Sequence, residues 1–183
     1  PADSVDVLRT AAMENGWGLV IDDPTEKDDV PVLVRETKWS RTIKPLFDFL
    51  GILPGYREMD ISGGVLVFFT IFYAMIIGDA GYGAVFLAAT AAASWKFRRN
   101  EKAKVPLKLG WVLSLATIIW GALSGNWFGV TRGGLKCLTD PAVKDGWVQT
   151  FCFALAVVQL SVGHLWKALH DGNWKSIGAN VGW

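Results

Sequence analysis

Two cysteines and two histidines in 183 residues leave this chain little metal or redox chemistry. Cys137 and Cys152 follow no zinc or dithiol spacing, and neither histidine has a ligand partner at a recognisable interval. No phosphate-binding loop, dinucleotide fingerprint or Ser/His/Asp arrangement occurs. No catalytic site can be assembled from these residues, and neither cofactor nor metal is expected. Net charge is nearly absent as well: 18 Lys and Arg against 17 Asp and Glu give +1. With no basic patch interleaved with aromatics, nucleic-acid binding has no support. The opening residues, PADSVDVLRTAAMENGWG, lack an initiator Met and any signal-like apolar stretch. The closing SIGANVGW stops as another apolar segment begins, so the expectation is a piece of a longer polypeptide.

Apolar residues are what the chain has in quantity. They make up 51% of it, with ten Trp and a mean hydropathy of +0.30, and they gather in blocks at 62–95, 107–131 and 147–169. The first block is broken once, at Gly78-Asp79-Ala80-Gly81-Tyr82-Gly83. As one helix it would be about 50 Å long, against a hydrocarbon core of about 30 Å. Glycines at its centre favour two helices with a tight bend between Gly78 and Gly83. The fold class expected is mostly α: a polytopic helical membrane protein with a small α/β cytoplasmic segment at the N-terminus. Helices are expected at about 62–78, 82–96, 107–129 and 147–169, with a further one starting at 176–183.

Residues 1–36 have the composition of the end of a soluble domain. A short helix is expected over Asp3 to Asn15, ended by Gly16, with a strand candidate at Gly18–Ile21 and, at Val30–Val34, either a short strand or an extended linker, since Pro31 lacks a ladder donor. Residues 37–61 form an amphipathic lead-in to the membrane. Trp39, Ile43, Leu46, Phe47 and Leu50 sit at near-helical spacing, interrupted by Pro45. Residues 62–183 form the membrane domain. Six Lys or Arg between positions 96 and 108 mark that loop, and with it the N-terminal segment, as cytoplasmic. Trp95, Trp111, Trp127, Trp147 and Trp166 fall near predicted helix ends, as in an interfacial belt.

Polar residues inside these blocks are the candidate functional groups. Asp79 reads as a group lining an aqueous ion path, as an ion pair stabilising a helix break, or as a cap at a helix terminus near the outer interface. Tyr82 either hydrogen-bonds near it or sits at the interface. His164, with Gln159 and Ser161 nearby, reads either as a proton relay or as part of a helix–helix hydrogen-bond contact. Gly121 and Gly125 form a small-xxx-small pattern that favours close helix packing, and Asn126 is placed to satisfy backbone near the helix end.

Three stretches together resemble the join between the soluble and membrane halves of subunit I of A/V-type rotary ATPases, the prokaryotic counterpart of vacuolar ATPase subunit a. They are Pro31-Val32-Leu33, Gly51-Ile52-Leu53-Pro54-Gly55-Tyr56-Arg57-Glu58-Met59-Asp60, and Ile77-Gly78-Asp79-Ala80-Gly81-Tyr82-Gly83. Gly121 to Gly129 and Gln159 to His164 are similar to the family's next two helices, in the right order. The chain departs from the family pattern at Asp60-Ile61-Ser62 and at Ile77. The resemblance implies a non-catalytic stator subunit in a prokaryotic plasma membrane. Its partners would be the proteolipid ring, the peripheral stalks, the other ATPase subunits and the lipid bilayer. The family's membrane-embedded arginine has no counterpart, since Arg98 and Arg99 lie in the basic loop and Arg132 in the outer loop. The alternative is a stand-alone small polytopic membrane protein: a channel, a transporter half or an assembly factor. Proton and sodium coupling, and synthase and pump direction, are equally compatible with these residues.

Overall fold

The computed structural model describes residues 4–22, 25, 37–52 and 60–171. It divides into two compact units, Pro1–Leu33 and Val34–Trp183. In the first, α1 (Val5–Asn15) ends at Gly16, whose φ of +67° lets its N–H turn back to the Ala12 carbonyl. The strand expected at Gly18–Ile21 does not form. No strand among the described residues lies beside it, and an unpaired strand leaves its ladder groups unmet. The α/β character expected of this segment is therefore not found here. The strand or linker expected at Val30–Val34 and the helix start at 176–183 lie outside the described residues.

The second unit begins with a 3₁₀ turn, Ser40–Ile43, that runs into α2 (Lys44–Leu50). Pro45 does not interrupt this segment as expected. It stands in the first turn of α2, where its missing N–H has no intrahelical partner to lose. Four longer helices follow: α3 (Ser62–Ile77), α4 (Ala80–Lys96), α5 (Glu101–Leu123) and α7 (Lys144–Asp171). Between α5 and α7 lie a hairpin of β1 (Asn126–Trp127) with β2 (Val130–Thr131) and the short α6 (Lys136–Thr139).

Two boundaries differ from expectation. The break in the first apolar block is only Gly78-Asp79, so Gly81 and Gly83 lie inside α4. The third helix was expected at 107–129 but covers Glu101–Leu123. Asn100 caps its start by accepting from the Lys102 N–H, and Pro106 is carried in its second turn. Its end comes early because Gly125 and Gly129 have positive φ, and Asn126 to Thr131 pair as a hairpin instead. The last block is longer than the 147–169 expected.

Direction along the bundle follows from the contacts. Ile43 and Leu66 pack with Leu109 near the start of α3 and α5, with Phe47, Phe69 and Leu113 around them. At the other end the Asn126 side-chain amide donates to the Gly78 carbonyl (3.1 Å), so α3 and α5 run in parallel. Trp111 Nε1 donates to Ser94 Oγ (3.1 Å) while Gly121 abuts Ala80, so α4 runs antiparallel to α5. Trp120 stacks on Phe151 (5.5 Å), and Trp166 lies against Gly64, so α7 descends beside α3. One end of the bundle therefore gathers Lys38, Arg41, Lys96, Arg98, Arg99, Lys104 and Lys108; Asp79 and the hairpin mark the other.

Candidate functional site: a carboxylate clasp at the helix break

Asp79 sits where α3 stops and α4 starts. Gly78 ends α3 in the left-handed region (φ +62°), and Asp79 is extended (φ −139°, ψ 121°), the backbone of an N-cap. Its carbonyl accepts the Gly83 N–H (3.0 Å), the first bond of α4. Its side chain, 3% exposed, accepts four backbone N–H groups. Oδ1 takes Gly81 (2.7 Å) and Tyr82 (3.1 Å) from α4 and Phe128 (3.0 Å) from the hairpin turn. Oδ2 takes Gly129 (2.9 Å). An ionised carboxylate is an acceptor only, and all four bonds are accepted, so the set needs no proton on Asp79.

The hairpin is shaped to deliver its two donors. Phe128 and Gly129 are the central residues of a two-residue turn, with φ of 52° and 76°. Positive φ at both positions is what a type I′ turn requires. It is ordinary for Gly129 and unfavourable for a bulky Phe128. The Phe128 ring is held in place by other contacts. It meets Tyr82 edge-on (centroids 5.6 Å apart) and lies where a side chain on Gly81 would have to go, 2.6 Å from that position. Asp79, Gly81 and Tyr82 thus over-determine a strained residue, the usual condition for such strain to persist.

Small residues bring α4 and α5 close enough for this. A Cβ on Gly121 would collide with the Ala80 nitrogen, and one on Gly83 would lie 2.9 Å from the Ile118 nitrogen. Thr117 and Ser114 are buried on the same face and return their hydroxyls to the Leu113 and Gly110 carbonyls (2.8 and 2.7 Å). Gly121 lies where α5 meets the start of α4, against the Ala80 backbone. Gly125 does not: it lies beyond α5 with φ +67°, pressed against the Gly133 backbone. Asn126 satisfies the end of α3 rather than that of α5.

The second polar candidate lies elsewhere. Gln159, Gly163 and His164 line a groove of about 370 Å³ with Lys167 on α7 and Gly64 and Phe68 on α3. Fifteen residues of helix and turn separate Gly64 from Asp79, about 20 Å along the bundle. His164 is half-buried and Gln159 exposed. Asp79 and Tyr82 therefore form one site, and Gln159 and His164 another. Phe128 and Gly129 were missed as partners of Asp79. Their signal was a Phe-Gly pair between Asn126-Trp127 and Val130-Thr131, an aromatic and β-branched setting that suits a hairpin.

The chain is 34% identical over 178 residues, 90% of its length, to V-type ATP synthase subunit I 1 of Treponema pallidum. It is 31% identical over its whole length to V-type ATP synthase subunit I of Borreliella burgdorferi. The chain is homologous to a part of V/A-type ATP synthase subunit I. A more distant relative, A-type ATP synthase subunit I of Archaeoglobus fulgidus, is 26% identical over 70% of the chain and 18% of its own length. The chain spans about a third of the two nearer subunits I, 29% and 32% of their lengths. No family model and no solved structure matches it. Among the described residues, two helices, α5 and α7, are long and apolar enough to cross a membrane; α3 is a shorter apolar helix.

Proposed function

We propose that the chain is the neck and first membrane helices of a stator subunit in a rotary V/A-type ATPase. It holds its part of the complex still while a proteolipid ring turns and ions, protons in the first instance, cross. ATP chemistry belongs to other subunits, and the peripheral stalks join from the cytoplasmic side. The observation that carries this is the similarity to subunits I over nearly the whole chain.

The physical setting agrees. α7 is apolar along its length and packs few of its residues, leaving Phe153, Val157, Leu165 and Leu169 exposed. In water that surface would be a large aggregation-prone patch; in lipid it is the ordinary outer face of a bundle. α5 and α7 would reach about 35 and 42 Å, enough to span a hydrocarbon core of about 30 Å. α3 and α4 reach about 25 Å each, so they traverse most of the core, and the clasp lies near the far interface. The basic end then faces the cytoplasm. In this reading Asp79 is a structural group: it joins the helix break to the outer hairpin, and no ion needs to reach it.

The test is ATP-driven ion uptake in inverted membrane vesicles. Removing the full-length subunit should abolish uptake while ATP hydrolysis by the catalytic sector continues. Undiminished ATP-driven uptake without the subunit would refute the stator role.

A further inference from the structure

A cavity of about 330 Å³ lies among α3, α5, α6 and α7, and neither the clasp nor the stator role uses it. Its polarity is graded. Lys144, Ser124 and Asn126 line it at the end of the bundle that Asp79 marks. Phe72, Met75, Ile76, Trp120, Val148 and Cys152 line the rest. Cys152 stands two turns down α7 from Lys144, about 12 Å, and Phe72 about 9 Å down α3 from Gly78. The polar groups at the mouth are open to a ligand. The Asn126 amide donates to the Gly78 carbonyl (3.1 Å), which fixes the side chain and leaves its Oδ1 without a donor. The Ser124 hydroxyl and the Lys144 ammonium make no hydrogen bond or ion pair with any described residue. Asp140 and Asp145 flank Lys144 in sequence, and neither lines the cavity.

We infer that this cavity holds one acyl chain of a phospholipid from the leaflet on the clasp side, with the lipid phosphate at Lys144 and Ser124. A polar mouth over an apolar shaft matches an amphiphile in direction, and the level agrees. Lys144 stands near the far interface, and Cys152 lies within the hydrocarbon layer. The phosphate oxygens accept from the ammonium and the hydroxyl, while an ammonium or hydroxyl on the headgroup donates to Asn126 Oδ1. Water in the shaft would wet six apolar side chains, and a methylene chain covers them. The volume is at the small end of the range for ligand sites, about 300–1,000 Å³, so it suits a single chain rather than a whole lipid. The inference rests on the membrane reading above, and its test separates the two.

The full-length subunit, within its complex, is placed in bilayer discs of phosphatidylcholine doped with phosphatidylethanolamine that carries a diazirine midway along one acyl chain. After irradiation, labelled residues are mapped by mass spectrometry. Trp120, Val148 and Cys152 should be labelled in preference to Phe153 and Val157, which are exposed on α7. Lys144→Gln should lower that preference about fivefold, one interfacial charge's worth, and Lys144→Arg should keep it. Lys144 is exposed, so these variants change the head contact without disturbing the packing. Val148→Trp fills the shaft and should abolish the preference. Cavity residues labelled no more than Phe153 and Val157 in wild type, or a preference unchanged in Lys144→Gln, overturns the inference and leaves the membrane reading standing. Labelling of neither set would overturn the membrane reading and the inference with it.

Discussion

Removing the Asp79 carboxylate should loosen the β1–β2 hairpin before it affects anything else. Asp79→Ala leaves four N–H donors without their acceptor. The two in α4 are first-turn donors, and losing such a cap costs about 1 kcal/mol. The two in the turn sit on residues that are otherwise exposed, so water replaces part of what is lost. A further 1–2 kcal/mol, roughly, is the expected remainder. Asp79→Asn keeps one acceptor oxygen, but its NH₂ must face the Gly129 N–H. Its cost should be smaller, about 1–2 kcal/mol. Hydrogen exchange in the full-length protein reads this locally. Phe128 and Gly129 amides should lose protection about tenfold in Asn and about a hundredfold in Ala, at 1.4 kcal/mol per decade. Amides of α5 near Leu109 should be unchanged. The reasoning fails if Asp79→Asn leaves Phe128 and Gly129 protected yet abolishes ion transport. That pattern would place Asp79 in the ion path.

The close approach of α4 and α5 makes Gly121→Ala a damaging methyl group. It must displace the Ala80 backbone, costing about 3 kcal/mol or more, whereas Gly129→Ala meets open space and bears only its positive φ, about 1 kcal/mol. Thermal unfolding in detergent should rank them in that order; equal shifts would contradict the packing. Phe128→Gly relieves the strained φ but removes the ring from Tyr82 and Gly81, so hairpin protection should fall rather than rise. Cys137, on α6 beside the hairpin, should react with a membrane-impermeant maleimide from outside the cell in a Cys152→Ala background, while a cysteine replacing Lys102 should react only from inside. Reaction of both from one side would overturn the topology.

Much of the architecture was legible because the long helices are written in long apolar runs. The two-helix split of residues 62–95 followed from length against bilayer thickness, and Gly78 does end α3. The end of the third helix was not legible. Leu123 to Val130 carries no charge and continues the apolar block, so hydropathy alone does not mark where the helix gives way to a hairpin. Only the positive φ at Gly125, Phe128 and Gly129 separates them, and Phe128 is a residue one would not place there. Asp79 could be singled out as a buried charge in an apolar block. Its role turned on donors some fifty positions away, which no local pattern reveals.

The central claim, a stator segment of a rotary ATPase, is most directly tested by isolating the full-length subunit from its native membrane with an affinity tag in mild detergent. Proteolipid and peripheral-stalk subunits, identified by mass spectrometry, should co-elute in fixed ratio as one complex with ion-coupled ATPase activity. Recovery of the subunit alone or as a homo-oligomer, with the ATPase complex intact in the unbound fraction, would contradict it.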